Sequence, residues 1–130
     1  MRVFLLALLL CCQLLTAAAA NVPLMPVRDL RAGMQGIGKT VISGDTIETF
    51  NVEILGVNGS EAMGYNIFVR LYGDLIEKTG GVAQGMSGSP VYVDGRLVGA
   101  VAFGKTFNDP HYCFLTPIGK MLPLLDEPRE

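Results

Sequence analysis

Residues 79–104, Thr-Gly-Gly-Val-Ala-Gln-Gly-Met-Ser-Gly-Ser-Pro-Val-Tyr-Val-Asp-Gly-Arg-Leu-Val-Gly-Ala-Val-Ala-Phe-Gly, constrain the fold of this chain more than any other stretch. Asp94-Gly95 lies between two apolar runs and specifies a two-residue hairpin, because a type I′ turn needs positive φ at both central positions. Residues 90–93 and 96–103 are therefore expected to be neighbouring antiparallel strands. The loop ahead of them, Gly85-Met86-Ser87-Gly88-Ser89-Pro90, has glycines where tight turns on both sides of Ser87 need residues without a Cβ. A hydroxyl carried on such a loop, braced by a hairpin, is well placed to act as a nucleophile.

The rest of the chain reads as all-β, with glycine punctuation every eight to twelve residues or so, as in small sandwiches and barrels. Residues 39–43 are expected to form a strand that turns at Ser43-Gly44-Asp45. Residues 47–57 alternate, with Phe50, Val52 and Ile54 on one face and Thr49, Asn51 and Glu53 on the other. Asn58-Gly59-Ser60 reads as the next turn, and residues 66–71 as a further strand. Residues 74–78 suit one helical turn ending near Gly80, with Asp74 as its cap. Phe114 and Leu115 belong to a last strand. Thr116-Pro117 reads as an N-cap followed by proline at the first position of a short helix, which Pro123 limits.

Residues 1–20 are expected to be a signal peptide, with Arg2, a long apolar run and the small residues Thr16-Ala17-Ala18-Ala19-Ala20 before the cut. An uncleaved anchor is the alternative, and that segment supplies the only expected membrane contact. The domain then spans 21–130 and is exported to the periplasm, cell envelope or medium. Nine Lys/Arg (ten less Arg2) face twelve Asp/Glu in it, a net charge of −3, so no basic footprint for nucleic acid exists. About 110 residues make one small domain. Cys113 is its lone cysteine and reads as a small buried hydrophobe.

Gly33-Met34-Gln35-Gly36-Ile37-Gly38-Lys39-Thr40 matches the phosphate-loop pattern Gly-x4-Gly-Lys-Thr. That chemistry needs a strand before the loop and a helix after it. Here strand and turn residues follow, so the segment is expected to be a glycine-rich bend entering a strand. No nucleotide and no cofactor are expected.

Three stretches together resemble the SpoIVB-type serine peptidases of the chymotrypsin-like clan. They are Met25-Pro26-Val27 with residues 31–41, then residues 50–57, then residues 78–101 closing on Leu115-Thr116-Pro117-Ile118. The resemblance implies a trypsin-like β-barrel fold; about 110 residues suffice for a single small barrel, closed or partly open, with short helical turns, whereas two such barrels need roughly 180 residues or more. It implies Ser87 as nucleophile and the Gly85 and Ser87 amides as oxyanion donors, with a peptide or protein as substrate. Ser89 is the alternative hydroxyl. Met86 stands where trypsin-like zymogens carry an aspartate, so that activation switch is not expected.

A serine needs a base, and the clan places its histidine before the serine. No histidine precedes Ser87; the single one, His111, follows it. His111 is thus the candidate base within the chain, with Asp74 and Asp109 as candidate orienting acids and Lys78 or Lys105 as lysine alternatives. Two other readings stand beside the peptidase: a non-catalytic barrel that binds a peptide or envelope partner, and a domain that continues into a longer protein.

Overall fold

Alternation of inward and outward side chains builds the wall of a barrel. A computed structural model of the chain describes residues 21–102 and 107–125. Six strands, β1 (Gln35–Thr40), β2 (Glu48–Ser60), β3 (Gly64–Tyr72), β4 (Pro90–Val93), β5 (Arg96–Ala102) and β6 (Tyr112–Pro117), pair antiparallel throughout. Their order around the barrel is β1-β2-β3-β6-β5-β4, and Ile37↔Tyr92 and Gly38↔Val91 join β4 back to β1. The barrel is closed rather than partly open, so no strand edge is left unpaired around the ring. Helix α1 (Asp74–Thr79) links β3 to the serine loop, and the short helix α2 (Ile118–Met121) follows β6.

The alternation in β2 is as the sequence predicts: Phe50, Val52 and Ile54 are buried, and Thr49 and Asn51 are exposed. Across the barrel they meet Ile67, Val69 and Leu71 of β3, Val91 and Val93 of β4, Val98 and Val101 of β5, and Leu115 of β6. Cys113 also faces this core, and burial pushes its thiol up to about 12. Residues 23–25 lie against β5, where Leu97 donates to the Pro23 carbonyl and Met25 donates to that of Leu97. Asp94 and Gly95 have φ of 50° and 72°, which is the turn the dipeptide predicts.

The structure corrects four local expectations. β1 begins at Gln35, not Lys39, and Val41 and Ile42 lie beyond its end. Its inward residues are Gly36, Gly38 and Thr40, and Gly38 sits opposite Phe50. These glycines therefore serve close packing within a strand instead of a bend; a Cβ on Gly38 would fall 2.0 Å from the Phe50 ring. Lys39 points outward and Thr40 inward, as successive strand residues must, so the two do not face one phosphate.

The second correction concerns Asn58-Gly59-Ser60, which is strand: pairing continues to Ser60↔Gly64, and residues 61–63 make the turn. Third, Gly73 and not Asp74 is the N-cap of α1, whose C-cap Gly80 is left-handed as expected. Fourth, Thr116 remains in β6 and Pro117 is the N-cap of α2. The predicted leader at 1–20, Phe103 at the end of the hairpin, Lys105 and the polar residues 126–130 lie outside the described residues.

Candidate active site

The loop between α1 and β4 alternates anchors and presented groups. Met86 is fully buried, Ser87 and Gly88 are exposed, and Ser89 is buried again. Met86 fixes the loop through its side chain, whose sulfur accepts from the Ala83 amide at 3.2 Å. Ser89 fixes it through its hydroxyl, which donates to Thr40 Oγ1 at 2.9 Å. Between them Gly85 and Gly88 take φ of 95° and 85°, conformations open to residues without a Cβ. The result is one outward serine between two inward anchors.

Backbone bonds sew this loop to the end of β5. Gly88 donates to the Val101 carbonyl at 2.7 Å, and Val101 donates to that of Ser89 at 2.9 Å. Met86 donates to Ala83, and Ser89 to Met86. Among the described residues the amides of Gly85 and Ser87 make no backbone hydrogen bond. Two donors next to the exposed hydroxyl thus have no backbone partner among the described residues. Ser89, the alternative hydroxyl, is buried and already bonded.

His111 lies at the same end of the barrel, just before β6. The stem of the serine loop touches its turn, since Val82 donates to the Pro110 carbonyl at 2.7 Å. The imidazole itself, however, is held by two carboxylates. Nδ1 is 2.7 Å from Asp109 Oδ1, and Nε2 is 3.0 Å from Glu77 Oε1 on α1. A neutral imidazole has one donor and one acceptor, so two carboxylate partners call for the doubly protonated ring. The hydrogen bonds to Asp109 and then to Glu77 accordingly raise His111 above its ordinary value. The His111 amide, followed by its side chain, lowers Asp109 in return.

The structure therefore brings the candidate acid Asp109 to His111, and leaves His111 without a hydrogen bond to Ser87. Asp74 and Lys78 are exposed on α1, joined to Ser87 by no hydrogen bond or ion pair. Asp94 occupies the hairpin turn. Glu77 escaped sequence reasoning, because it stands 34 residues before its partner with no local pattern to connect them.

Beside Ser87 a groove of about 460 Å³ is lined by Val41, Ile47, Gly85, Ser87, Pro90 and Tyr92, among others. A larger groove of about 820 Å³ adjoins it, sharing Lys39 and Tyr92 and running past Ile37 and Tyr72.

The closed antiparallel barrel thus presents Ser87 on a glycine-bounded loop that lines a groove. The family model of the SpoIVB peptidase S55 matches residues 15–122, most of the chain, and the chain belongs to that family. No curated protein matches it.

Proposed function

We propose that this chain is an exported peptidase-family domain in which Ser87 is the nucleophile position and the Gly85 and Ser87 amides receive the oxyanion of a polypeptide carbonyl. The observation that carries this reading is the division of labour in the loop. Amides 86, 88 and 89 are tied to the protein, while 85 and 87, the two an oxyanion hole would use, bond to no backbone carbonyl among the described residues. One such donor contributes about 3 kcal/mol in a transition state. The leader at 1–20 supports export, which N-terminal sequencing of the secreted product beginning at Asn21 would test.

A fluorophosphonate probe tests the nucleophile. Labelling is expected on the parent chain and on Ser89→Ala, and is expected to vanish in Ser87→Ala. Labelling that follows Ser89 instead would overturn the assignment.

A second reading, a barrel that binds polypeptide without cleaving it, is favoured by one observation: both ring nitrogens of His111 are taken by carboxylates. Loss of a working base costs on the order of 10⁶-fold in turnover. Labelling and peptide hydrolysis that both fall in His111→Ala would support catalysis through that imidazole. Labelling indifferent to His111, with saturable peptide binding, would support the binding reading.

A further inference from the structure

We infer that an extended polypeptide docks along the outward face of β1, placing one apolar side chain against Val41 and Ile47 beside Ser87 and a second against Ile37 and Tyr92. This rests on Ser87 as the reacting position and adds the class of polypeptide presented to it.

The outward side chains of β1 are Gln35, Ile37 and Lys39. Ile37 is 48% exposed, and just past the strand Val41 and Ile47 are 43% and 67% exposed. All three are apolar yet turned outward, and each lines one of the two grooves. The two grooves share Lys39 and Tyr92. Val41 and Ile47 line the groove that contains Ser87, and Ile37 lines the adjoining one.

Where the grooves join, Lys39 Nζ stands 5.3 Å from the centre of the Tyr92 ring. The ammonium marks the middle of the path with a positive charge. Ile37 and Val41 are four residues apart, about 13 Å along an extended strand. A polypeptide lying beside them in extended form therefore offers apolar side chains at positions about four residues apart. The residue midway between them meets Lys39, which favours an acidic side chain and disfavours a basic one. A protein substrate is what the family implies, and an extended segment of that pattern is the occupant these grooves fit.

The test uses the purified chain carrying Ser87→Ala, so that binding is read without turnover. The probe is a fluorescent peptide capped at both ends, with leucines four residues apart and aspartate midway, followed by anisotropy. Changing either leucine to serine is expected to weaken binding about ten-fold or more, the fold-change that corresponds to burying such a side chain. Aspartate to lysine in the middle is expected to weaken it further at low salt than at high salt. On the protein, Ile37→Asp and Ile47→Asp should each reproduce the loss. Ile42→Asp, also exposed but outside both grooves, should not.

Absence of saturable binding, a peptide indifferent to its leucines, or equal damage from Ile42→Asp would overturn the inference. So would concentration-dependent dimerisation abolished by Ile37→Asp, which would assign the face to a second copy. Failure of the Ser87 reading looks different: labelling would be absent while leucine-dependent binding persisted.

Discussion

Replacing Gly38 by alanine is expected to destabilise the barrel by about 1–3 kcal/mol, although the change adds a single methyl group. The position faces inward on β1, directly across from Phe50 of β2. A Cβ built there lies 2.0 Å from Phe50 Cζ, 2.2 Å from Cε2 and 2.7 Å from Cε1. Carbon atoms in contact prefer roughly 3.5–4.0 Å, so the ring must retreat by more than an ångström. Phe50 is only 2% exposed and belongs to the closed core, so the ring has no solvent to retreat into. Movement means an off-rotamer ring or a displaced β2, and each is costly. Loss of glycine's unfolded-state freedom offsets about 0.4–1 kcal/mol, so with the strain at about 2–3 kcal/mol, the upper part of the overpacking range, the net cost is about 1–2.6 kcal/mol.

The origin of the effect can be isolated with a second substitution. Phe50→Ala alone opens a cavity and is expected to cost about 3–5 kcal/mol. In that background the methyl at position 38 enters the vacated space, and its cost should fall to zero or become a gain. The coupling between the two sites is then about 2 kcal/mol. Urea unfolding followed by circular dichroism measures all four corners of the cycle, provided that the m-value is constant. If Phe50→Ala is too unstable to measure, Phe50→Leu gives a smaller coupling of the same sign. Additivity within about 0.5 kcal/mol, or a Gly38→Ala chain as stable as the parent, would refute the packing argument.

Two further outcomes follow from the site. Ser89→Ala removes the donor to the buried Thr40 hydroxyl and is expected to cost about 1–2 kcal/mol, whereas Ser87→Ala, at an exposed position, should stay within about 0.5 kcal/mol; thermal midpoints measure the contrast. Because Asp109 and Glu77 raise His111, its contribution is complete below the ordinary imidazole range and is lost as pH rises through the raised value. The lowered Asp109 contributes above the ordinary carboxylate range and is lost as pH falls through its lowered value, so the clasp is strongest between the two. An NMR titration of the single imidazole should show a midpoint above 6.5 that falls in Glu77→Gln; a parent midpoint at or below the ordinary value would mean the clasp is not formed in solution.

What was legible in the sequence was local. Asp94-Gly95 announces its turn because the backbone angles it adopts are rare outside Asn, Asp and Gly. The period of two in residues 50–54 announces a half-buried strand. Gly80 closes α1 as a left-handed cap, for the same conformational reason. The misreadings arose where glycine can mean two things. At Gly38 the residue makes room for Phe50, and at Gly59 a Cβ would meet the Gly64 carbonyl at 2.0 Å. Both sit within strands, and only the partner strand, many residues away or across a turn, reveals which use applies. The serine loop was legible for the first reason, and its relation to His111 was hidden for the second. Glu77 reaches His111 only because β3 delivers α1 to the end of the barrel where β6 begins.

That division also frames the chemistry of Ser87. Positioning a serine is a short-range task, met here by Gly85, Met86, Gly88 and Ser89 within one loop. Taking its proton is a long-range task, since the base must come from elsewhere in the chain or from outside it. Asp109 holds Nδ1 of His111, as an orienting acid does, but Glu77 holds Nε2, the nitrogen that takes the proton of the serine hydroxyl in such triads. A slow Ser87 then has two separable causes: an imidazole engaged by a competing carboxylate, or one beyond reach of the serine. Glu77→Gln distinguishes them, because it removes the competing charge from an exposed side chain and leaves Asp109 in place. If competition is the cause, fluorophosphonate labelling of Ser87 should rise in Glu77→Gln and return to the parent rate when His111→Ala is added. If reach is the cause, the imidazole midpoint still falls while the labelling rate does not move, and the base for Ser87 is a group other than this imidazole.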